Sequence, residues 1–161
     1  MRIGHGFDIH RLVSGRPLRL AGITVPYEAG LLGHSDGDVV LHAVCDALLG
    51  AIAAGDVGRL FPDSDPRFKG IDSTELLREV VRRVHGLGYV VRNLDVTVQA
   101  ERPRLAEHIE SMRTRLAELL VVDSSMVSVK AKTMEGLDAV GRGEAIAATA
   151  VVLCKPVTKD E

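Results

Sequence analysis

The chain has 161 residues, of which 46% are apolar and 26% charged, and its formal net charge is −2 at pH 7. That length suits one domain with its own core. The near-neutral charge excludes a global basic field for nucleic acid or an anionic membrane surface, and no apolar run approaches the ~20 residues of a membrane span. Aromatic residues are only 3% and Trp is absent, so the core falls to Val, Leu, Ile and Ala. Cys45 and Cys154 are far apart and form no C-x-x-C pair, which fits a reducing compartment. The sequence opens directly on a strand-like Met1-Arg2-Ile3 with no signal peptide. The expectation is a cytoplasmic protein with a single domain over residues 1–161.

Residues 2–12 read as a strand. Asp8 and His10 are two apart and so project from one face, whereas His5 is off that parity. Leu18 to Val25 reads as a second strand closed by Pro26. Gly30 to Asp38 is a Gly- and Asp-rich loop holding His34 and Ser35. Residues 38–54 form the clearest helix, with Val40, Ala43, Val44, Ala47, Leu48, Ala51 and Ile52 at helical spacing. The N–H groups and dipole at its start favour an anion beside His34 and Ser35, and Ser35 or Asp36 can also serve as N-cap.

That helix carries His42. Asp8, His10 and His42 offer one carboxylate and two imidazoles, the ligand count of a catalytic zinc site with a position left open. Asp38, His42 and Asp46 fall at i, i+4 and i+8 on one helix face. A metal-bound imidazole gives its other N–H to an acceptor. Asp38 or Asp46 is a candidate for that acceptor, with a plain polar face as the alternative for Asp46.

Residues 55–71 lack periodicity. Asp56, Asp63 and Asp65 make this either a solvated turn or a loop whose carboxylates receive substrate hydroxyls. Asp72 with Glu75 starts a helix that Gly86 and Gly88 stop, and His85 and His108 read as surface residues. Leu94 to Ala100 alternates as a half-buried strand, and Pro103 opens a helix running to about Leu120. Val127, Val129 and Ala131 alternate in a further strand. At its end, Lys130, Lys132 and Thr133 suit phosphate, and Glu135 suits the single protein carboxylate of a Mg²⁺ site. A Gly-rich loop from Gly136 to Gly143 leads to a strand from Ala145 to Pro156 that is apolar on both faces. Such a strand must be covered on both sides, which points to an oligomer.

Several blocks together resemble the 2-C-methyl-D-erythritol 2,4-cyclodiphosphate synthase family of non-mevalonate isoprenoid biosynthesis. They are Arg2 to His10; His34-Ser35-Asp36-Gly37-Asp38 with His42; Asp46 to Gly50; Gly55 to Gly58 with Phe61-Pro62-Asp63; Lys130-Ala131 with Thr133 and Glu135; and Gly141 to Glu144. The resemblance covers essentially the whole chain.

The resemblance implies an α+β subunit: a four-stranded mixed sheet with helices on one face, the sheets packed together in a homotrimer with active sites between subunits. It implies conversion of 4-diphosphocytidyl-2-C-methyl-D-erythritol 2-phosphate to the cyclic diphosphate and CMP. It places Zn²⁺ on Asp8, His10 and His42, and Mg²⁺ or Mn²⁺ on Glu135, with His34 and Thr133 stabilising the transition state. Asp56, Gly58 and Asp63 would hold the methylerythritol part, with Ser35, Val57, Phe61, Pro62, Ser64 and Asp65 as further substrate-binding residues. Ala100, Glu101, Arg102, Pro103, Arg104, Leu105 and Ala106, with Lys132 and Met134, would hold cytidine diphosphate from the adjacent subunit.

The chain departs from many members at Lys132 and Met134, and varies the cytidine loop at Glu101, Arg102 and Arg104. Ala139 stands where some relatives carry an aromatic residue lining a trimer-axis cavity for an isoprenoid diphosphate, while Arg142 remains as a diphosphate contact. The residues alone leave two rivals: a mononuclear Fe(II) oxygenase, since two His and one carboxylate also describe its facial triad, and a trimeric nucleotide-binding or metal-storing module without turnover.

Overall fold

A computed structural model describes residues 1–157; residues 158–161, the last four of the expected domain, lie outside the described residues. The chain runs β1 (Arg2–Ser14), β2 (Leu18–Leu20), β3 (Ile23–Val25), β4 (Ala29–Leu31), α1 (Val39–Ala51), α2 (Val57–Leu60), α3 (Ser73–Gly86), β5 (Tyr89–Gln99), α4 (Ile109–Leu120), β6 (Val127–Lys132), α5 (Asp138–Gly141) and β7 (Ala145–Pro156). The main sheet has five strands in the order β4-β1-β7-β5-β6, where four were expected; β5 and β6 are parallel and the other pairs antiparallel. The fifth is the short β4, which pairs only with the end of β1 through Leu12, Val13 and Ser14.

Other expectations need correction. The strand expected over Leu18 to Val25 is a tight hairpin of β2 and β3, because Ala21 and Gly22 adopt positive φ and turn the chain. Alternating apolar residues read alike in one strand and in two short ones. The helix expected from Pro103 begins only at Ile109, after a 3₁₀ turn over Ala106–His108. The expected loops 55–71 and 136–143 contain the one-turn helices α2 and α5. The periodic helix holds, shortened to Val39–Ala51 with Asp38 as its N-cap.

The core follows from strand parity. Ile146, Ala148, Ala150, Val152 and Cys154 of β7, with Leu94, Val96 and Val98 of β5, are fully buried under the helices. On β1 the same face carries Gly4, Gly6, Asp8 and His10, register partners of Val152, Ala150, Ala148 and Ile146. A Cβ at Gly4 would lie 1.7 Å from the Ala47 carbonyl oxygen, and one at Gly6 would lie 2.0 Å from that of Ala43. The two glycines therefore let α1 press directly onto β1. This close approach carries His42, one helical turn before Asp46, to the strand that holds Asp8 and His10.

The opposite face is open along most of its length. Ile3, Phe7 and Ile9 of β1 and Val151 of β7 are exposed there, while Val140 of α5 packs on Ala145 and Ala147 at one end.

Candidate metal centre

Asp8 Oδ2, His10 Nε2 and His42 Nδ1 meet in a triangle. Asp8 lies 2.8 Å from His10 and 3.0 Å from His42, and the two imidazole nitrogens are 3.1 Å apart. Ligand atoms about 2.0–2.1 Å from a tetrahedral zinc lie about 3.3 Å apart, so the triangle is close to a zinc ligand set. His10 Nδ1 is 2.6 Å from the Leu32 carbonyl oxygen, which can only accept, so Nδ1 carries the proton and Nε2 keeps its lone pair for the triangle. A carboxylate and two imidazoles with this outer hydrogen bond suit a divalent cation.

The electrostatics describe the centre without a cation. Burial opposes ionisation of Asp8, but the hydrogen bonds and charges of His10 and His42 outweigh it and hold the carboxyl well below the usual carboxylate range. Burial also disfavours a proton on His10, but the Asp8 carboxylate and the Leu32 carbonyl prevail and raise its pKa above the ordinary imidazole value. Without a cation, the triangle thus favours a proton on His10 Nε2 shared with the Asp8 carboxylate, and a divalent cation binds there by displacing it.

A cavity of about 220 Å³ opens on the triangle. His34, Ser35, Val57, Gly58, Phe61, Asp63, Phe68, Ile71 and Leu76 line it with the three ligands. His34 Nε2 is buried with no hydrogen-bond partner, an unusual state for a polar atom. Phe68, Ile71 and Leu76 were not among the expected site residues; they come from the end of the aperiodic loop and the first turn of α3. Asp56 caps α2 by accepting from the Arg59 N–H at 2.8 Å, and Asp65 pairs with Arg67. Asp56, Pro62, Ser64 and Asp65 therefore sit in this loop outside the cavity wall.

Neither candidate acceptor for His42 takes that role. Asp38 is fully buried and accepts from the backbone N–H groups of Ala21, Gly22 and Leu41, pinning the β2–β3 turn to the start of α1. Asp46 accepts from the Val57 N–H at 2.7 Å and tethers the cavity loop to α1. The i, i+4, i+8 spacing places all three on one helix face, but these backbone donors claim both carboxylates. His42 Nε2 instead meets Ser35 Oγ and Ser73 Oγ, each at 3.0 Å. Ser73 gave no signal in the sequence beyond its place at a helix start.

A second cavity, of about 540 Å³, lies at the far edge of the sheet. Ala100, Glu101, Pro103, Arg104, Leu105, Ala106, Lys132 and Thr133 line it, with Ile109 and Ala131. Glu101 accepts from the Met134 N–H, and Thr133 donates to Glu135. Arg102 falls outside that lining, and Arg142 is paired with Glu144 at 2.8 Å. The two cavities share no residue. Asp8, Ala148, Val98 and Ala131 are register partners in a row across β1, β7, β5 and β6, and three strand spacings put Asp8 and Ala131 roughly 14 Å apart.

An α+β fold with a mixed sheet and an open three-residue cluster on a cavity fits the class of enzymes with a catalytic metal centre better than a closed structural metal site. The sequence profile described as the YgbB family matches residues 1–155. The 2-C-methyl-D-erythritol 2,4-cyclodiphosphate synthase of Geobacillus kaustophilus is 60% identical over 152 residues, 94% of this chain and 96% of that one. The synthase of the same name from Escherichia coli O6:K15:H31 (strain 536 / UPEC) is 56% identical over 159 residues, 99% and 100% of the two chains.

Among solved structures, a CDP-bound form of 2C-methyl-D-erythritol-2,4-cyclodiphosphate synthase superposes with a TM-score of 0.89 at 42% identity, covering 96% of this chain and 100% of that one. The bifunctional IspDF of Campylobacter jejuni gives a TM-score of 0.95 at 39% identity over 99% of this chain, which spans only 43% of that longer protein. The chain belongs to the YgbB family, the family of the 2-C-methyl-D-erythritol 2,4-cyclodiphosphate synthases.

Proposed function

We propose that this chain converts 4-diphosphocytidyl-2-C-methyl-D-erythritol 2-phosphate to 2-C-methyl-D-erythritol 2,4-cyclodiphosphate and CMP, in non-mevalonate isoprenoid biosynthesis. The observation that carries this reading is the Asp8–His10–His42 triangle opening on the same cavity as the unpartnered His34, in a chain with these relatives. The 2-phosphate oxygen forms a bond to the β-phosphorus, and the bond from that phosphorus to the CMP oxygen breaks. The nucleophile belongs to the substrate, so the protein supplies position and charge; good alignment can contribute up to about 7–11 kcal/mol.

Asp8, His10 and His42 would hold Zn²⁺, for which two nitrogens and one carboxylate are suited. Glu135, a lone carboxylate, would hold Mg²⁺ or Mn²⁺ among substrate phosphates. When bound, the two cations neutralise charge on the phosphates. His34 presents its free Nε2 to the transferring phosphate, and Thr133 serves the same charge from the other side. Gly58 and Asp63, on the cavity wall, would hold the methylerythritol hydroxyls, with Asp56 capping the turn that presents them, while Ala100 to Ala106 and Lys132 to Glu135 would hold the cytidine diphosphate.

A homotrimer joins these groups. The separation of roughly 14 Å between Asp8 and Ala131 supports a site in which one protomer supplies the triangle and its neighbour the Thr133–Glu135 loop. Free Cys45 and Cys154, both buried, are consistent with work in the cytoplasm. Phosphorus NMR of the protein with substrate, Zn²⁺ and Mg²⁺ tests the reaction. CMP and a cyclic diphosphate are expected; persistence of substrate with both metals bound overturns the proposal. Oxygen uptake by the Fe²⁺-loaded protein would instead identify the oxygenase.

A further inference from the structure

His42 faces two hydroxyls with its outer nitrogen, those of Ser35 and Ser73, which also lie 3.2 Å from each other, and Ser73 is the one in contact with a carboxylate. Ser73 Oγ lies 3.0 Å from His42 Nε2 and 2.5 Å from Asp36 Oδ1. The Asp36 carboxylate also accepts from the Ser73 and Asp38 backbone N–H groups, each at 3.2 Å, and has Arg19 Nε at 3.9 Å. A carboxylate in this setting is an acceptor only, so Ser73 must donate its hydroxyl proton to Asp36. Ser73 Oγ is then left to His42 as an acceptor. That requires the proton on Nε2 and leaves a lone pair on Nδ1, the atom facing Asp8 and His10. Ser35 imposes no such direction: its hydroxyl accepts from the Gly37 N–H at 3.2 Å, and its own proton can go either to Ser73 Oγ at 3.2 Å, leaving it to accept from Nε2, or to Nε2 itself.

We propose that Asp36 and Ser73 are positioning residues that fix His42 in its metal-binding tautomer. The chain of bonds runs from Asp36 through the Ser73 hydroxyl to Nε2. It also fixes the ring plane, because Ser73 is fully buried at the first position of α3 and Asp36 is tied to the same segment through its N–H to the Ile71 carbonyl. The cavity wall contributed by Ile71 and Leu76 is thereby joined to the ligand that α1 supplies. The inference rests on Asp8, His10 and His42 being metal ligands, and its test separates the two.

The test measures zinc dissociation constants by chelator competition, together with the tautomer of His42 from ¹⁵N-histidine NMR of zinc-free protein above the imidazole titration range. Wild-type protein is expected to bind one zinc on the triangle and to show the Nε2–H form. Failure of wild type to bind zinc there refutes the ligand assignment itself. Ser73→Ala is expected to weaken zinc about 10–100-fold, the usual effect of losing an outer hydrogen-bond partner, and to mix the tautomers. Asp36→Asn keeps a neutral acceptor of the same size and is expected to fall between the two. It carries the test alone if Ser73→Ala does not fold. A merely structural role would lower the melting temperature while leaving both readouts at the wild-type value. Zinc affinities within twofold of wild type and an unchanged tautomer overturn the proposal.

Discussion

At the scale of single residues, the centre depends on three side chains, two of which, Asp8 and His10, favour each other's charged forms. Replacing His42 with Ala is expected to abolish binding of one metal per chain while His34 and the cavity remain, as metal analysis after dialysis would show. The pH behaviour without metal follows from Asp8 and His10. The depressed Asp8 carboxyl contributes stability above its unfolded value of 3.8, and this is lost as pH falls through the lower folded value. The raised His10 imidazole contributes stability below its unfolded value of 6.5, and this is lost as pH rises through the higher folded value. The metal-free protein is therefore expected to gain most from this pair between pH 3.8 and 6.5, measured by chemical denaturation across pH. Metal binding runs the other way: His10 must lose its proton, so affinity rises with pH through the imidazole range.

Asp8 and His10 were legible as a candidate pair because their parity is a local property of a strand, and His42 because it lies on the most periodic helix. Ser73 was not, since its meeting with His42 joins two helices 31 residues apart in sequence. Asp46 was read as a candidate partner of His42 because helix spacing is visible in sequence, whereas the Val57 N–H that claims it is supplied by a later loop.

Among the elements, α1 and β1 form the unit that makes the site. The absence of side chains at Gly4 and Gly6 sets their distance. Gly6→Ala would drive a methyl group into the Ala43 carbonyl. A backbone obstacle cannot swing aside, so a loss of about 3 kcal/mol or more is expected, together with weakened zinc binding as His42 moves off Asp8. Thermal denaturation with and without zinc would read both effects. A second strained junction lies at the end of α4, where Val121 closes the helix at φ 58° and ψ 48° and is 75% exposed. A β-branched residue is costly in that conformation and Gly is not. Val121→Gly is expected to stabilise the protein by about 1 kcal/mol without touching the site. The same element scale explains the misplaced start of α4: Pro103 suits a first helical turn, but the chain from Ala100 to Leu105 instead forms the wall of the second cavity.

For the molecule as a whole, the open sheet face is the decisive feature. Ile3, Phe7, Ile9 and Val151 expose apolar surface along neighbouring strands β1 and β7, an arrangement that marks an interaction surface. Light scattering is expected to give three times the chain mass of 17.3 kDa. Phe7→Asp on that face is expected to shift the protein toward monomer and to remove turnover, while the Asp8–His10–His42 triangle of each chain stays intact because Phe7 points away from it. A monomer with full activity would contradict the shared site.

The sequence by itself determined the elements with strong periodicity, the double-sided apolar strand β7, and Asp8, His10 and His42 as candidates on their own elements, because each rests on the fixed side-chain period of one strand or one helix. Only the tertiary structure decided the fifth strand and the hairpin at Ala21 and Gly22. Only it, too, decided the partners of Asp38 and Asp46, the cavity wall from Phe68, Ile71 and Leu76, and the Asp36–Ser73–His42 connection. These depend on which backbone donors and which distant side chains come within about 3 Å when α1 closes on β1, a condition of packing that no local pattern encodes.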